Sequence, residues 1–188
     1  MKKTLLSLAI ASLAAGQSVC AAVEKVYNEP DSVYIFSYAH PEDEGRSGLK
    51  FAWSPDGDKW LSVSDGFAYL KCDFGRWGAE KRMIKPLLEK AEDGRWYCRW
   101  QLTPSGKVWG TSHSSDLLKW APQQYVNAEK PAVPRLVTAR QIVLDKDTLN
   151  GYMQKVPYAD IEQLIRFAEH KKSVSYTHLR AHETEADL

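Results

Sequence analysis

Ser54-Pro55-Asp56-Gly57-Asp58-Lys59-Trp60 and Ser114-Ser115-Asp116-Leu117-Leu118-Lys119-Trp120 share the order Ser-x-Asp-x-x-Lys-Trp, sixty positions apart. These residue types spell a turn. An Asp carboxylate accepts backbone N–H bonds in an Asx turn, a Ser hydroxyl can close the same loop, and Gly57 takes a positive φ without steric cost. The Trp then folds its ring back over the hairpin. Ser54, Asp56, Trp60, Ser114, Asp116 and Trp120 are therefore read as structural turn residues, and the Ser–Asp pairs are not read as a nucleophile with its acid.

Working outward, each copy follows two aromatic, β-prone runs: Val33–Tyr38 and Leu49–Trp53 before the first, Arg95–Trp100 and Lys107–Thr111 before the second. Two strands, a turn and a Trp opening the next strand make a repeating antiparallel unit. The expected fold is all-β, with partial β-propeller-like antiparallel blades over residues 23–130, because one small sheet cannot bury both faces until neighbours stack on it. Two units do not close a ring. A differently packed partial sheet, further blades supplied by downstream sequence, and a small sandwich with local similarity to blades all remain open. Residues 131–172 change texture. Ala132–Leu144 and Thr148–Val156 read as a β-hairpin about Asp145-Lys146-Asp147, and Pro157 opens one short α-helix with apolar Ile161, Leu164, Ile165 and Ala168 spaced i, i+3, i+4, i+7. This helix reads as packing, with His170 solvated at its end.

The two ends of the chain read differently. Lys2 and Lys3 precede the apolar run Leu5–Ala15 and the small residues Cys20-Ala21-Ala22, so residues 1–22 are expected to be a signal peptide and the protein periplasmic or extracellular. The rival reading, a lipoprotein acylated at Cys20, meets Val19 where a small residue is wanted. At the other end, Ser173-Val174-Ser175-Tyr176-Thr177-His178-Leu179-Arg180-Ala181-His182-Glu183-Thr184 has neither helical period nor alternation and resembles a translated sequencing adapter. Residues 173–188 are expected to be a non-native tail, with the natural protein continuing. His178 and His182 at i, i+4 are accordingly not read as a metal pair.

The 188 residues are 44% hydrophobic and 26% charged with a net charge of +1, which excludes a disordered polymer and offers no basic field for nucleic acid. No membrane span is expected after the signal. Export leaves Cys72 and Cys98 free to form one structural disulfide or to remain two thiols, and their separation is no metal spacing. No cofactor and no metal are expected.

All seven Trp residues fall between positions 53 and 120, as a core or as a carbohydrate-facing surface. The tract Tyr69–Leu88, too long for a hairpin turn, is the best site candidate. Trp77 suits stacking on a sugar ring while Arg76, Glu80, Lys81 and Arg82 suit its hydroxyls or a uronate; the plainer reading makes Trp77 a core plug and the charges a solvated loop. Glycosidic cleavage normally needs two carboxylates, about 5–5.5 Å apart for retention or about 6.5–9.5 Å for inversion. Asp31, Asp65, Asp73, Glu80 and Asp116 are available for such a pair.

Val33-Tyr34-Ile35-Phe36-Ser37-Tyr38 with Gly48-Leu49-Lys50-Phe51-Ala52-Trp53-Ser54-Pro55-Asp56-Gly57-Asp58-Lys59-Trp60 resembles the first blade of secreted five-bladed β-propeller glycoside hydrolases of the arabinanase, β-xylosidase and α-L-arabinofuranosidase kind. The unit carrying Ser114, Asp116 and Trp120 is similar to the next blade, and the likeness covers about residues 30 to 122. It implies an Asp base at the start of blade one, for which Asp31 is the candidate, though before Ser32 rather than Pro. A second Asp, in an Arg-Asp-Pro-like motif, and a later Glu acid are also implied. Here Arg82-Met83-Ile84-Lys85-Pro86 places Lys before Pro, which reverses the local charge that keeps a general acid protonated. A buried Ca²⁺ is common in that family, but no oxygen-ligand loop of recognised spacing stands in this chain. Three readings follow. The first is a secreted carbohydrate-active fragment acting on, or binding, arabinose- or xylose-containing plant glycans and inactive alone. The second is a glycosidase completed by C-terminal sequence. The third is a noncatalytic secreted interaction or structural domain.

Overall fold

The structure, a computed structural model, describes residues 30–64, 66–76, 81–104, 106–128 and 132–172. The signal-like residues 1–22 and the tail 173–188 lie outside them. Among the described residues, nine strands fold into two antiparallel sheets. The first sheet contains β1 (Ser32–Tyr38), β2 (Lys50–Ser54), β3 (Leu61–Ser62), β8 (Val137–Leu144) and β9 (Asp147–Pro157), in the order β3-β2-β1-β9-β8. The second is a meander of β4 (Ile84–Lys90), β5 (Trp96–Gln101), β6 (Val108–Ser114) and β7 (Gln124–Asn127). A 3-10 turn, Tyr158–Asp160, leads into α1, residues 162–172.

Burial follows from strand position. β1 is central, so both its edges are paired, and with a cluster packed on each face Ile35, Phe36, Ser37 and Tyr38 are all buried in succession. Val33, Ile35 and Phe51 face the main core, which also holds Leu88, Trp96, Cys98 and Trp100 of the second sheet and Ile161, Leu164, Ile165 and Ala168 of the helical end. Phe36, Tyr38 and Ala52 face the other way, into a smaller cluster with Ile142, Leu144 and Leu149, against which Trp60 packs. β5 alternates strictly, with Trp96, Cys98 and Trp100 inward and Tyr97, Arg99 and Gln101 half-buried on the outer face, as period-2 side-chain placement requires.

The two repeated turns fold alike. Ser54 Oγ donates to Asp56 Oδ1 (2.9 Å) and accepts the Gly57 N–H (2.8 Å), while Asp56 Oδ1 accepts the N–H groups of Asp58 and Lys59, both at 2.9 Å. In the second copy Ser114 Oγ donates to Asp116 Oδ1 (3.1 Å) and accepts the Leu117 N–H (2.9 Å), and Asp116 Oδ1 takes Leu118 and Lys119 at 2.9 and 2.8 Å. Gly57 and Leu117 occupy the same left-handed position, φ 86° and 62°. The rings go to different cores: Trp60 packs on Phe36 at 5.5 Å, and Trp120 packs on the main core with its Nε1 donating to Leu117 O at 3.2 Å.

The expected all-β antiparallel chain with a hairpin and one short helix is what forms, but as one five-stranded and one four-stranded sheet, neither closed into a propeller. The hairpin β8–β9 turns at Asp145 and Lys146, and β9 pairs with the whole of β1, from Ser32 opposite Pro157 to Tyr38 opposite Gly151. Residues 151–157 thereby satisfy the β1 edge that β2 leaves open. Part of the tract read as a loop is also a strand. β4 admits Pro86 because a bulge between Ile84 and Leu87 spares the missing N–H a ladder partner.

Candidate functional site

Residues 70–76, the first half of the tract marked in the sequence, dock on the edge strand β7. Leu70 and Cys72 are buried and anchor it; Asp73, Phe74, Gly75 and Arg76 follow on the surface, with Gly75 at φ 77° turning the chain. The Asp73 N–H points at Gln123 Oε1 (3.2 Å) and at the Tyr125 hydroxyl oxygen (3.3 Å). Gln123 donates its Nε2 to Lys71 O at 2.6 Å, which fixes its carbonyl end toward Tyr125.

Beneath this segment runs a row of rings. Trp100, Gly110 and Tyr125 are cross-strand neighbours on β5, β6 and β7. A Cβ on Gly110 would lie 2.2 Å from the Trp100 ring, so only glycine lets Trp100 and Tyr125 meet across it, edge to face at 6.1 Å and 88°. Phe74 then lies 4.8 Å from Tyr125 and is 37% exposed, whereas Trp100 is fully buried. The row thus carries an aromatic surface from the core to solvent.

The polar edge of this platform is rich in acceptors. The Tyr125 hydroxyl has one proton and two acceptors, Asp73 Oδ1 and Gln123 Oε1, each at 2.6 Å. Burial raises the Tyr125 pKa, and the hydrogen bonds to Asp73 and Cys72 raise it further, so the phenol stays protonated and acts as the donor. Asp73 Oδ2 has no protein partner among the described residues. The site therefore suits a ligand that brings hydroxyl donors and an apolar face.

Of the residues singled out in the sequence, Arg76 lies at the end of this docked segment, and Trp77 and Glu80 fall outside the described residues, as does Asp65. Arg82 is elsewhere, with Nη1 2.8 Å from Glu44 in the loop after β1. Asp31 is exposed just before β1, its carbonyl accepting the Tyr158 N–H at 3.2 Å. Asp116 is committed to backbone donors in its turn. Asp31, Asp73 and Asp116 thus stand on three separate elements. Cys72 and Cys98 are both free and buried. Gln123 and Tyr125 went unread because they lie about fifty residues from Asp73, and only the docking of one segment on another joins them.

No family model, no curated protein and no solved structure matches the chain. Among the described residues no helix is long and apolar enough to cross a membrane, and no group of three or more His, Cys, Asp or Glu is placed to hold a metal ion.

Proposed function

We propose that the chain is a glycan-binding module of a secreted carbohydrate-active protein, its two sheets acting as propeller-like units, and that its ligand is an arabinose- or xylose-containing plant glycan. The observation that carries this reading is the half-exposed Phe74 ring against Tyr125, bordered by the Asp73 carboxylate and the Gln123 carbonyl. Sugar rings present C–H faces to aromatic groups and hydroxyl donors at their rims, which is the complement of this platform. Binding is favoured over cleavage because the platform offers one carboxylate among the described residues, and glycosidic hydrolysis normally takes two.

Affinity electrophoresis on arabinan and arabinoxylan tests it. Phe74→Ala removes the stacking surface and should weaken retention about tenfold, since an aromatic contact contributes on the order of 1.5 kcal/mol beyond its area. Tyr125→Phe keeps the ring and deletes the hydroxyl, and Asp73→Asn replaces the charged acceptor; both should weaken retention with an unchanged circular dichroism spectrum. Trp77→Ala tests the ring singled out in the sequence. Full retention by Phe74→Ala and Asp73→Asn, or no retention of the parent chain on either glycan, would sink the proposal.

A further inference from the structure

We infer a second binding site, independent of the aromatic platform: the cleft between the β4 bulge and the β8–β9 hairpin, which suits the carboxylate of a uronate-type sugar. The cleft has a volume of about 430 Å³ where it is lined by Lys85 and, from the hairpin, Ala139, Arg140, Gln141, Asn150, Gly151 and Tyr152. It adjoins a second hollow of about 300 Å³ that shares Lys85 and Asn150 and reaches Arg82 and Glu44. Both volumes are of the size that holds a small polar ligand.

The sequence builds this cleft in three steps. Ser37 Oγ donates to Pro86 O at 3.0 Å, which fixes the bulge of β4 against the centre of the first sheet. The bulge gives Lys85 a φ of 50° and leaves its side chain exposed, and a bulge commonly re-aims a side chain in this way. Gly151 lines the cleft with its backbone, and glycine is needed there because a Cβ, on the opposite face, would lie 2.2 Å from Ser37 O and 2.6 Å from the Phe36 ring.

Alternation sorts the lining charges. Ala139, Gln141, Asn150 and Tyr152 lie on the same face of the sheet as Ser37, which meets β4. Arg140 alternates to the opposite face, where its guanidinium meets Met153 Sδ at 3.6 Å and Asp58 at 3.7 Å. Lys85 is left as the cation of the cleft, and it forms no ion pair among the described residues. The carboxylate of the adjoining hollow, Glu44, is already engaged by Arg82 and Arg46. Gln141 donates to Asn150 Oδ1 at 3.2 Å, which leaves the Asn150 NH₂ and the Gln141 carbonyl without other protein partners among the described residues. An unpaired ammonium with neutral amides and a phenol around it, and no competing acid, recognises a carboxylate attached to a hydroxylated ring.

Titration calorimetry of the intact chain with glucuronate, glucose and a glucuronate oligomer at neutral pH and low salt tests the assignment. Glucuronate should bind at least about tenfold more tightly than glucose, the equivalent of about 1.4 kcal/mol. Lys85→Gln should erase that preference, and Lys85→Arg, which keeps the charge, should retain most of it. Tighter binding of the oligomer than of the monosaccharide identifies a chain-internal uronate as the ligand; equal binding identifies the free sugar acid. The preference for glucuronate over glucose should persist in Phe74→Ala, which separates this cleft from the platform. Equal affinity for glucuronate and glucose, absence of glucuronate binding, or a preference that survives Lys85→Gln would overturn the inference.

Discussion

The buried hydroxyl of Ser37, at the centre of the first sheet, donates across the interface to the carbonyl oxygen of Pro86 in the second, 3.0 Å away. Removing it strands a buried acceptor, and such groups cost more unpaired than a made bond contributes. Ser37→Ala should therefore lower unfolding free energy by about 1–3 kcal/mol in urea titrations. Because the same bond holds the bulge, the variant should also lose the preference of the cleft for glucuronate over glucose.

Gly57 and Leu117 answer the same left-handed requirement with opposite side chains. Gly57→Ala adds a Cβ at φ 86° and 3.3 Å from the Tyr34 ring, and should cost about 1–2 kcal/mol. Leu117 is fully buried in the main core. Leu117→Ala should cost about 2–5 kcal/mol through the cavity it leaves, so chemical denaturation should rank it the more damaging of the two.

The repeated turns also set an acid limit. Backbone N–H groups of Lys59 and Asp58, with the Ser54 hydroxyl, hold the exposed Asp56 carboxyl at about 2, below its ordinary 3.8. For Asp116, burial pushes upward, but the N–H groups of Lys119 and Leu118 and the Ser114 hydroxyl outweigh it and the net shift is downward. A depressed carboxyl binds its proton more weakly in the folded chain than in the unfolded one. Its contribution is full above about pH 4 and lost as the pH falls toward about 2. Melting temperature should fall over that window, and Asp56→Asn should flatten the fall. Carboxyl titration followed by NMR should place the Asp56 midpoint near 2.

Cys72 and Cys98 are both free, and burial raises the Cys98 thiol well above its ordinary range. Because the thiolate is the reactive form, Cys98 should resist a thiol reagent in the native chain and react fully in denaturant. Added reductant should leave the melting temperature unchanged.

The local grammar of this chain was legible residue by residue, and its long-range pairing was not. Ile161, Leu164, Ile165 and Ala168 announced a packed helical face by spacing alone, and all four are buried. The polar Asp145-Lys146-Asp147 announced the hairpin turn, which the structure confines to Asp145 and Lys146, both at positive φ, with Asp147 opening β9. Nothing in Met153 or Gln154 tells that β9 lies beside β1, because strand order is decided by which open edge and which apolar face meet in three dimensions. Pro86 hid β4, being a residue that argues against a strand unless a bulge receives it. The platform was half visible: Cys72-Asp73-Phe74-Gly75-Arg76 lay within the tract singled out as a site, whereas Gln123 and Tyr125 belong to a strand that carried no distinguishing motif.

The placement of β9 between β1 and β8 also fixes an order of events in synthesis. The second sheet is a meander of sequential neighbours, β4 through β7, and its pairings close as soon as its own residues have emerged. Strand β1, made first of the described strands, waits for residues 151–157 before its second edge is covered. Over the interval in which about a hundred further residues are added at about 5–20 per second, that edge is a ready template for another chain. The nascent protein therefore carries an aggregation hazard at β1, and a chain interrupted before Gly151 would keep it.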